Sequence, residues 1–258
     1  MSATFNFEGK VVVVAGGSSG VGLAVTQAFS KAGAKVHIAA TNETKGAAVA
    51  KETKNVVFHQ CDLTNPRQIQ KLVDEVVSED GGCDILIPAA GYVTSSKVEE
   101  LPEKTWRDAI DLMLTAPFLL AQHFLPPMYR RKWGRIVNIG SAGSLHGLPT
   151  KVAYTSAKHG LIGLTKVIAL EANEHGVTCN SVCPTYIRTP PIEEMISQMS
   201  QEQSKSTEQI IQEIAPDTGC KRLLEPSEVA NYVLYLCTDL AAGINGSAAT
   251  IDCGHSAL

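Results

Sequence analysis

Short β-branched runs alternate with longer helical patterns along the chain, and that alternation constrains the fold more than any other feature. Val11–Ala15 reads Val-Val-Val-Val-Ala. It is too short for a helix and lacks the in-out alternation of a half-exposed strand, so it predicts a strand buried on both faces, as in a parallel sheet. Val21–Lys31 has helical spacing and stops at Gly33, a candidate C-cap. The rhythm continues with strands at Lys35–Ala40, Val56–Cys61, Asp84–Ala89, Arg135–Gly140, Thr178–Cys183 and Ser247–Ile251. Between them lie helical patterns at Glu43–Thr53, Asn65–Glu79, Thr150–His175 and Pro226–Cys237. Glu103–Arg131 is a long helical region that Pro117 and the Pro126-Pro127 pair are expected to interrupt. Joined by right-handed crossovers, these units predict an α/β fold, a doubly wound parallel sheet of about seven strands. With no repeat and no linker-like stretch, residues 1–258 read as a single domain. Thr185–Gly219 is the one long interruption, polar and rich in Gln and Ser. Following a strand end, it is placed where a lid over a ligand would sit.

Composition closes off other classes. Hydrophobic residues make up 44% and charged residues 19%, as in an ordinary globular core, and the net charge of −4 offers no basic face for nucleic acid. No uninterrupted apolar run approaches the ~18 residues of a membrane span. The opening Met1-Ser-Ala-Thr-Phe-Asn-Phe lacks the basic-then-apolar pattern of a secretory signal, so the expected compartment is cytoplasmic. The seven cysteines are scattered, odd in number and without C-x-x-C spacing. They read as buried thiols rather than disulfides, and no metal centre is expected.

The first predicted strand leads into Gly16-Gly17-Ser18-Ser19-Gly20-Val21-Gly22. Glycines let the backbone turn tightly and approach a pyrophosphate, and the N-terminus of the following helix attracts anions. A glycine-rich turn alone is a structural feature; its place on the first strand-helix turn makes Gly16, Ser18, Ser19, Gly20, Val21 and Gly22 the expected phosphate cradle of a dinucleotide. In NAD binders an acidic residue about 20 positions on holds the ribose 2′-hydroxyl. Here the second strand ends Ala39-Ala40-Thr41-Asn42, without a carboxylate. Ser18 and Thr41, with Lys45, are available to a 2′-phosphate, which tilts the expected cofactor slightly from NAD to NADP.

Tyr154-Thr-Ser-Ala-Lys158 puts a phenol and an ammonium on one helix face, with Cβ atoms about 5–6 Å apart. A free tyrosine titrates near ~10 and cannot shuttle protons at neutral pH. An ammonium one turn away stabilises the phenolate and lowers that value, which makes the pair a candidate general acid/base. As an isolated spacing it is an ordinary surface pair. Ser141, thirteen residues upstream, and the glycine-rich turn give it weight.

Taken together, Gly16/Gly20/Gly22, Cys61-Asp62-Leu63, Ala90-Gly91, Ile136-Val-Asn-Ile-Gly-Ser141, Tyr154/Lys158, Asn180-Ser-Val-Cys-Pro184 and Ile251-Asp252 resemble the short-chain dehydrogenase/reductase family over essentially the whole length. The resemblance implies a Rossmann-like fold and an NAD(P)(H)-dependent oxidoreductase acting on a small-molecule carbonyl or alcohol. In that family pattern Tyr154 exchanges a proton with the substrate oxygen, Ser141 orients that oxygen, and Lys158 holds the nicotinamide ribose. Asp62 and Leu63 would contact adenine, Ala90 and Gly91 would border the cofactor, and Pro184, Ile187 and Thr189 would line the nicotinamide. The residues around Tyr154 and Cys183 are similar to bacterial 3-hydroxybutyrate dehydrogenases, and the end of the second strand to 3-oxoacyl-carrier-protein reductases. Lys151 matches one carboxylate anchor of the former, while Val93, Gly143 and Met195 replace other anchors and Tyr186 replaces a tryptophan. Ser141, Lys151 and Tyr186 are the expected substrate contacts, in a pocket more apolar than a hydroxy acid needs. Relatives assemble through the two long helices, so a homotetramer is expected.

The chain also departs from the family pattern. Met113 stands where the family has an asparagine that holds a water in a proton relay, and a thioether cannot donate a hydrogen bond. Pro88-Ala89 replaces an Asn-Asn pair, and Pro88 removes a ladder donor at a central strand's end. These changes keep open a second reading, a non-catalytic dinucleotide-binding protein with a degenerate site. A serine hydrolase is the remote third, because Ile139-Gly-Ser-Ala-Gly143 lacks the first glycine of the nucleophile elbow.

Overall fold

The computed structural model describes residues 5–215 and 221–254. Strands β1 (Val11–Ala15), β2 (Lys35–Ala40), β3 (Val56–Gln60), β4 (Ile85–Pro88), β5 (Gly134–Ile139), β6 (Val177–Pro184) and β7 (Ala248–Ile251) form one sheet in the order β3-β2-β1-β4-β5-β6-β7. Every pairing is parallel. The order reverses between β1 and β4, which opens a crevice at their carboxyl ends.

Both faces of the sheet are covered, which is why the strand sequences are apolar throughout. Val12 and Val14 point into one layer with Val25 and Phe29 of α1 (Gly20–Lys31) and Val229 and Val233 of α9 (Pro226–Leu236). Val13 points into the other, with Leu72 and Val76 of α3 (Pro66–Asp80), Phe124 of α5 (Ala116–Arg131) and Ile168 of α6 (Val152–Ala172). All three valines are fully buried, each contributing roughly 1.5–3 kcal/mol of transfer free energy. Pro88, lacking an N–H, ends β4, and the Ala89 amide resumes the pairing with the Ala15 carbonyl at 2.8 Å. Asn42 caps α2 (Glu43–Glu52) by accepting from the Lys45 amide at 2.9 Å. Asn65 caps α3, which stops at Gly81 in the left-handed region, φ +72°.

The long central helix differs from expectation. Helix α4 (Glu103–Ile110), a π-helical turn over Asp111–Thr115 and α5 form one continuous helix. Pro117 falls in the first turn of α5, directly behind the wider turn, where its missing N–H and its ring are accommodated. The helix continues through Pro126 and Pro127 to Arg131, with Pro127 buried against the Gly82 turn. By length and composition alone Glu103–Arg131 would qualify as a membrane span. In the fold, Leu120, Phe124 and Met128 bury it against the sheet.

The polar interruption after β6 is a pair of helices, α7 (Pro190–Gln203) and α8 (Thr207–Ile214). They have a small core of their own, Ile196, Ile210 and Leu223, ringed by Met195 and Met199. Residues 216–219 of that interruption, and Cys220 among the cysteines, lie outside the described residues. Cys61, Cys83, Cys179, Cys183 and Cys237 are buried thiols.

At the amino end of the sheet β2, β3 and α3 are tied by a polar chain. Lys35 Nζ lies 2.8 Å from both Glu79 Oε1 and Asp80 Oδ2. His37 Nε2 lies 2.8 Å from Asp80 Oδ2, His37 Nδ1 lies 2.9 Å from His59 Nε2, and His59 Nδ1 lies 2.7 Å from Glu75 Oε2. His37, Glu79 and Asp80 gather ligand atoms within 4.8 Å of one another, but the Lys35 ammonium already bridges both carboxylates.

Candidate active site

The carboxyl ends of β1, β4, β5 and β6 bring most of the expected residues together. The turn after β1 requires its glycines. Gly16 has φ +90°, and a Cβ there would sit 2.7 Å from the Ala90 amide nitrogen. A Cβ on Gly22 would lie 2.1 Å from the Gly16 carbonyl oxygen, so helix α1 springs directly from the turn. Gly20 has φ +52°, and a Cβ there would lie 3.5 Å from Thr189 Cγ2. The Thr26 hydroxyl pins the turn from below, donating to the Gly22 carbonyl at 2.9 Å. Ser19 is the N-cap of α1 and makes no side-chain cap, which leaves the positive helix end without a carboxylate or hydroxyl partner there.

Around this turn, Ala90 and Gly91 follow β4, and Asp62 and Leu63 follow β3. The Asp62 carboxylate accepts from the Thr64 amide at 2.9 Å and its hydroxyl at 2.7 Å, and Leu63 is buried. Thr41 is exposed beyond β2, next to the capped start of α2 and the exposed Lys45. Ile187 bridges to Leu224 behind the lid helices, Thr189 is the N-cap of α7, and Pro184 closes β6.

Ser141, two residues past β5, has extended backbone and starts a short turn, Ala142–Ser144, held by reciprocal hydrogen bonds. The Gly143 amide donates to Ser141 Oγ at 3.1 Å, and the Ser141 amide donates to Ser144 Oγ at 3.0 Å. Tyr154 and Lys158 occupy one face of the first turns of α6. The Lys158 ammonium is buried, donates to the Ile139 carbonyl at 2.6 Å and lies 5.8 Å from the centre of the Tyr154 ring. Cys183, on β6, presents a buried thiol to both.

The electrostatics correct one expectation. The net shift of the phenol in this geometry is upward, not downward. Burial pushes Tyr154 above its ordinary value, the Ser141 hydroxyl draws it back down by bonding the anion, and the Cys183 thiol adds to the rise. Lys158 is perturbed by the same burial. Its ammonium is engaged with Ile139, and burial lowers it to about 8, with Cys183 opposing.

Lys151 and Tyr186 sit at the rim. Lys151 bridges to Ser96, the Ser96 amide donates to the Thr150 carbonyl at 2.8 Å, and the Ser95 and Thr150 hydroxyls lie 2.9 Å apart. Thr150 is held at φ +65°, a costly state for a β-branched residue. Tyr186 is 41% exposed, as are Val93 at 56% and Leu148 at 40%. A Cβ on Gly143 would lie 2.7 Å from Leu148 Cδ1 and 3.5 Å from Ser141 Oγ, so Leu148 fills the space beside the serine.

Three features were missed from sequence: the Ile139 carbonyl as the lysine's partner, the Cys183 thiol beneath the pair, and the π-helical turn that carries Met113. Only the second left a trace, as an apolar cysteine two residues before the lid.

Comparison with known proteins agrees with this arrangement. Residues 15–256 match the family model described as Enoyl-(Acyl carrier protein) reductase. The chain is 36% identical to D-beta-hydroxybutyrate dehydrogenase of Rhizobium meliloti, over 96% of this chain and 99% of that one. It is 33% identical to the 3-oxoacyl-[acyl-carrier-protein] reductase of Vibrio cholerae, over 96% and 98%. It superposes on a variant of actinorhodin polyketide ketoreductase crystallised with NADPH, with a TM-score of 0.90, 31% identity and full coverage of both chains. With a matching family model, full-length relatives and a shared architecture, this chain belongs to the short-chain dehydrogenase/reductase family of oxidoreductases.

Proposed function

We propose that this chain is one catalytic domain that interconverts a ketone and a secondary alcohol with NAD(P)(H), with Tyr154 as the general acid/base. The observation that carries the reading is the convergence of Ser141, Tyr154 and Lys158 beside the Gly16–Ala90 contact, at the crevice between β1 and β4. The residues present fit a dinucleotide. The turn admits no Cβ at Gly16 or Gly22, and α1 offers an uncapped positive end to a pyrophosphate. Gly16, Ser18, Ser19, Gly20, Val21 and Gly22 would hold the phosphates, Asp62, Leu63, Ala90 and Gly91 the adenosine side, and Pro184, Ile187 and Thr189 the nicotinamide end. Thr41, Ser18 and Lys45, with no carboxylate at the end of β2, favour NADP slightly over NAD.

The bound coenzyme supplies or accepts the hydride. The chain's own part is positional and protonic. The Ser141 hydroxyl, fixed by the Gly143 amide, would bond the substrate oxygen. Tyr154, raised by burial, is protonated at neutral pH and so is ready to give its proton to that oxygen during reduction. The phenolate left behind is stabilised by the Lys158 ammonium on the same helix face. In oxidation the same groups run in reverse.

The rim favours an apolar ketone. Leu148 stands beside Ser141, Val93 and Tyr186 are exposed apolar and aromatic groups proposed to border the substrate, and Lys151 is the cationic anchor of the set. Residues 185–219 act as the substrate lid. Phe118 on α5 and Val167 and Leu170 on α6 are exposed, which supports assembly through these helices into a homotetramer, and the cytoplasm is the proposed compartment.

Coenzyme titration followed by a carbonyl panel tests the reading. We expect NADPH and NADH fluorescence to change on binding, NADPH the more tightly held, and turnover to favour apolar ketones. Coenzyme binding with no turnover of any ketone would instead support the degenerate-site reading, which the thioether of Met113 keeps in view.

A further inference from the structure

We propose that Met113 is a positioning residue for Lys158: its thioether plugs the floor of the site, keeps water from the ammonium and leaves the Ile139 carbonyl as that ammonium's partner. The inference rests on the function proposed above.

Met113 is 1% exposed and sits in the middle of the π-helical turn, where the Ala116 amide reaches back to the Asp111 carbonyl. Such widened turns project a side chain away from the ordinary helical row, and they recur at functional sites. Gly91 reports where that side chain goes. A Cβ built there would lie 3.2 Å from Met113 Sδ and 3.7 Å from Lys158 Nζ, so sulfur and ammonium flank one point. Lys158 itself is 4% exposed, between the exposed Gly91 and the buried strands. From β5 it meets the Ile139 carbonyl, from the loop after β4 Gly91, and from β6 the Cys183 thiol. Tyr154 and Cys183 are the titratable groups that face it among the described residues, and neither is a carboxylate.

A thioether has no proton to donate and is only a weak acceptor. It fills space as a flexible apolar group. An amide of similar length would bond water or the ammonium directly. The buried lysine therefore keeps one strong hydrogen bond, to a backbone carbonyl, and loses proton affinity to desolvation, which is the direction found, to about 8. The consequence for the reaction is that the ammonium which steadies the Tyr154 phenolate is lost as pH rises through that value, and reduction weakens with it.

The experiment is a titration of the Lys158 side-chain nitrogen by NMR in the full-length, ¹⁵N-lysine-labelled protein, assigned with Lys158→Met. Wild type should titrate near 8. Met113→Asn and Met113→Ala, which admit water, should raise the value by about one unit or more, while Met113→Leu, which keeps the plug, should not move it. The alkaline limb of the kcat/KM profile should move with the nitrogen. If the buried amide of Met113→Asn prevents folding, Met113→Ala carries the same test, with NADPH binding as the check on the fold. Asn and Ala variants that titrate with wild type, or a Leu variant that shifts as far as they do, would overturn the proposal. A shifted nitrogen in a protein that turns over no ketone would sink the proposed function and leave the plug standing.

Discussion

Lys35 and Lys158 stand at opposite ends of the same parallel sheet. At the amino end Lys35 bridges Glu79 and Asp80, and the bond to Asp80 followed by that to Glu79 raises its proton affinity. Asp80 in turn is held below its usual value, because its bonds to Lys35 and His37 outweigh the desolvation that pushes it up. At the carboxyl end Lys158 is fully desolvated, meets a carbonyl and a thiol, and loses proton affinity. The first lysine completes a network that ties α3 to β2 and β3. The second is an uncompensated buried cation, which a fold keeps only where the surroundings over-determine it. Placed beside a phenol and the glycine-rich turn, that imbalance is what the proposed function draws on.

The contrast can be broken at its strongest point first. Lys158→Met should cut turnover by about 10²–10⁴-fold, the usual reach of acid-base assistance. It should leave the thermal midpoint unchanged or higher, because a desolvated charge is replaced by an apolar chain of similar length. Steady-state kinetics and a thermal melt on the same preparation check both halves. Asp80→Asn should do the reverse. It removes the charge that holds Lys35 and His37, costing about 1–3 kcal/mol in urea unfolding, while NADPH affinity at 25 °C stays put.

A smaller effect sharpens the amino end. Burial above all holds His37 below its ordinary value, with His59 adding to the fall and Asp80 opposing it. The folded state therefore resists protonating it. Its stability is whole above the unfolded value of ~6.5 and declines as pH falls below that. Unfolding curves from pH 7.5 to 5 should show this slope in wild type and a flatter one in His37→Gln.

Much of this molecule was legible as sequence. Four valines in a row demand burial on both faces, and Gly16 and Gly22 stand where backbone meets backbone too closely for a Cβ. Helix periodicity placed Tyr154 over Lys158 correctly. What periodicity could not convey was where the ammonium would go. That depended on the Ile139 carbonyl, which no side-chain pattern encodes, and the expected lowering of the phenol failed because burial outweighs the Ser141 bond. The π-helical turn was equally hidden, since one extra residue in a helix leaves no compositional mark. Pro117 reads as a break in the sequence because a proline's effect depends on the turn before it. The lid's helices were faint because their apolar positions serve only the small core around Ile196 and Ile210.

The central claim is that the Tyr154 hydroxyl passes the proton in hydride transfer to a ketone. Tyr154→Phe deletes one oxygen and leaves the ring that packs against Ala153 and Ala157. On an apolar ketone that wild type reduces, single-turnover oxidation of bound NADPH should slow by about 10²–10⁴-fold with coenzyme affinity preserved. A variant that oxidises NADPH at the wild-type rate would contradict the account.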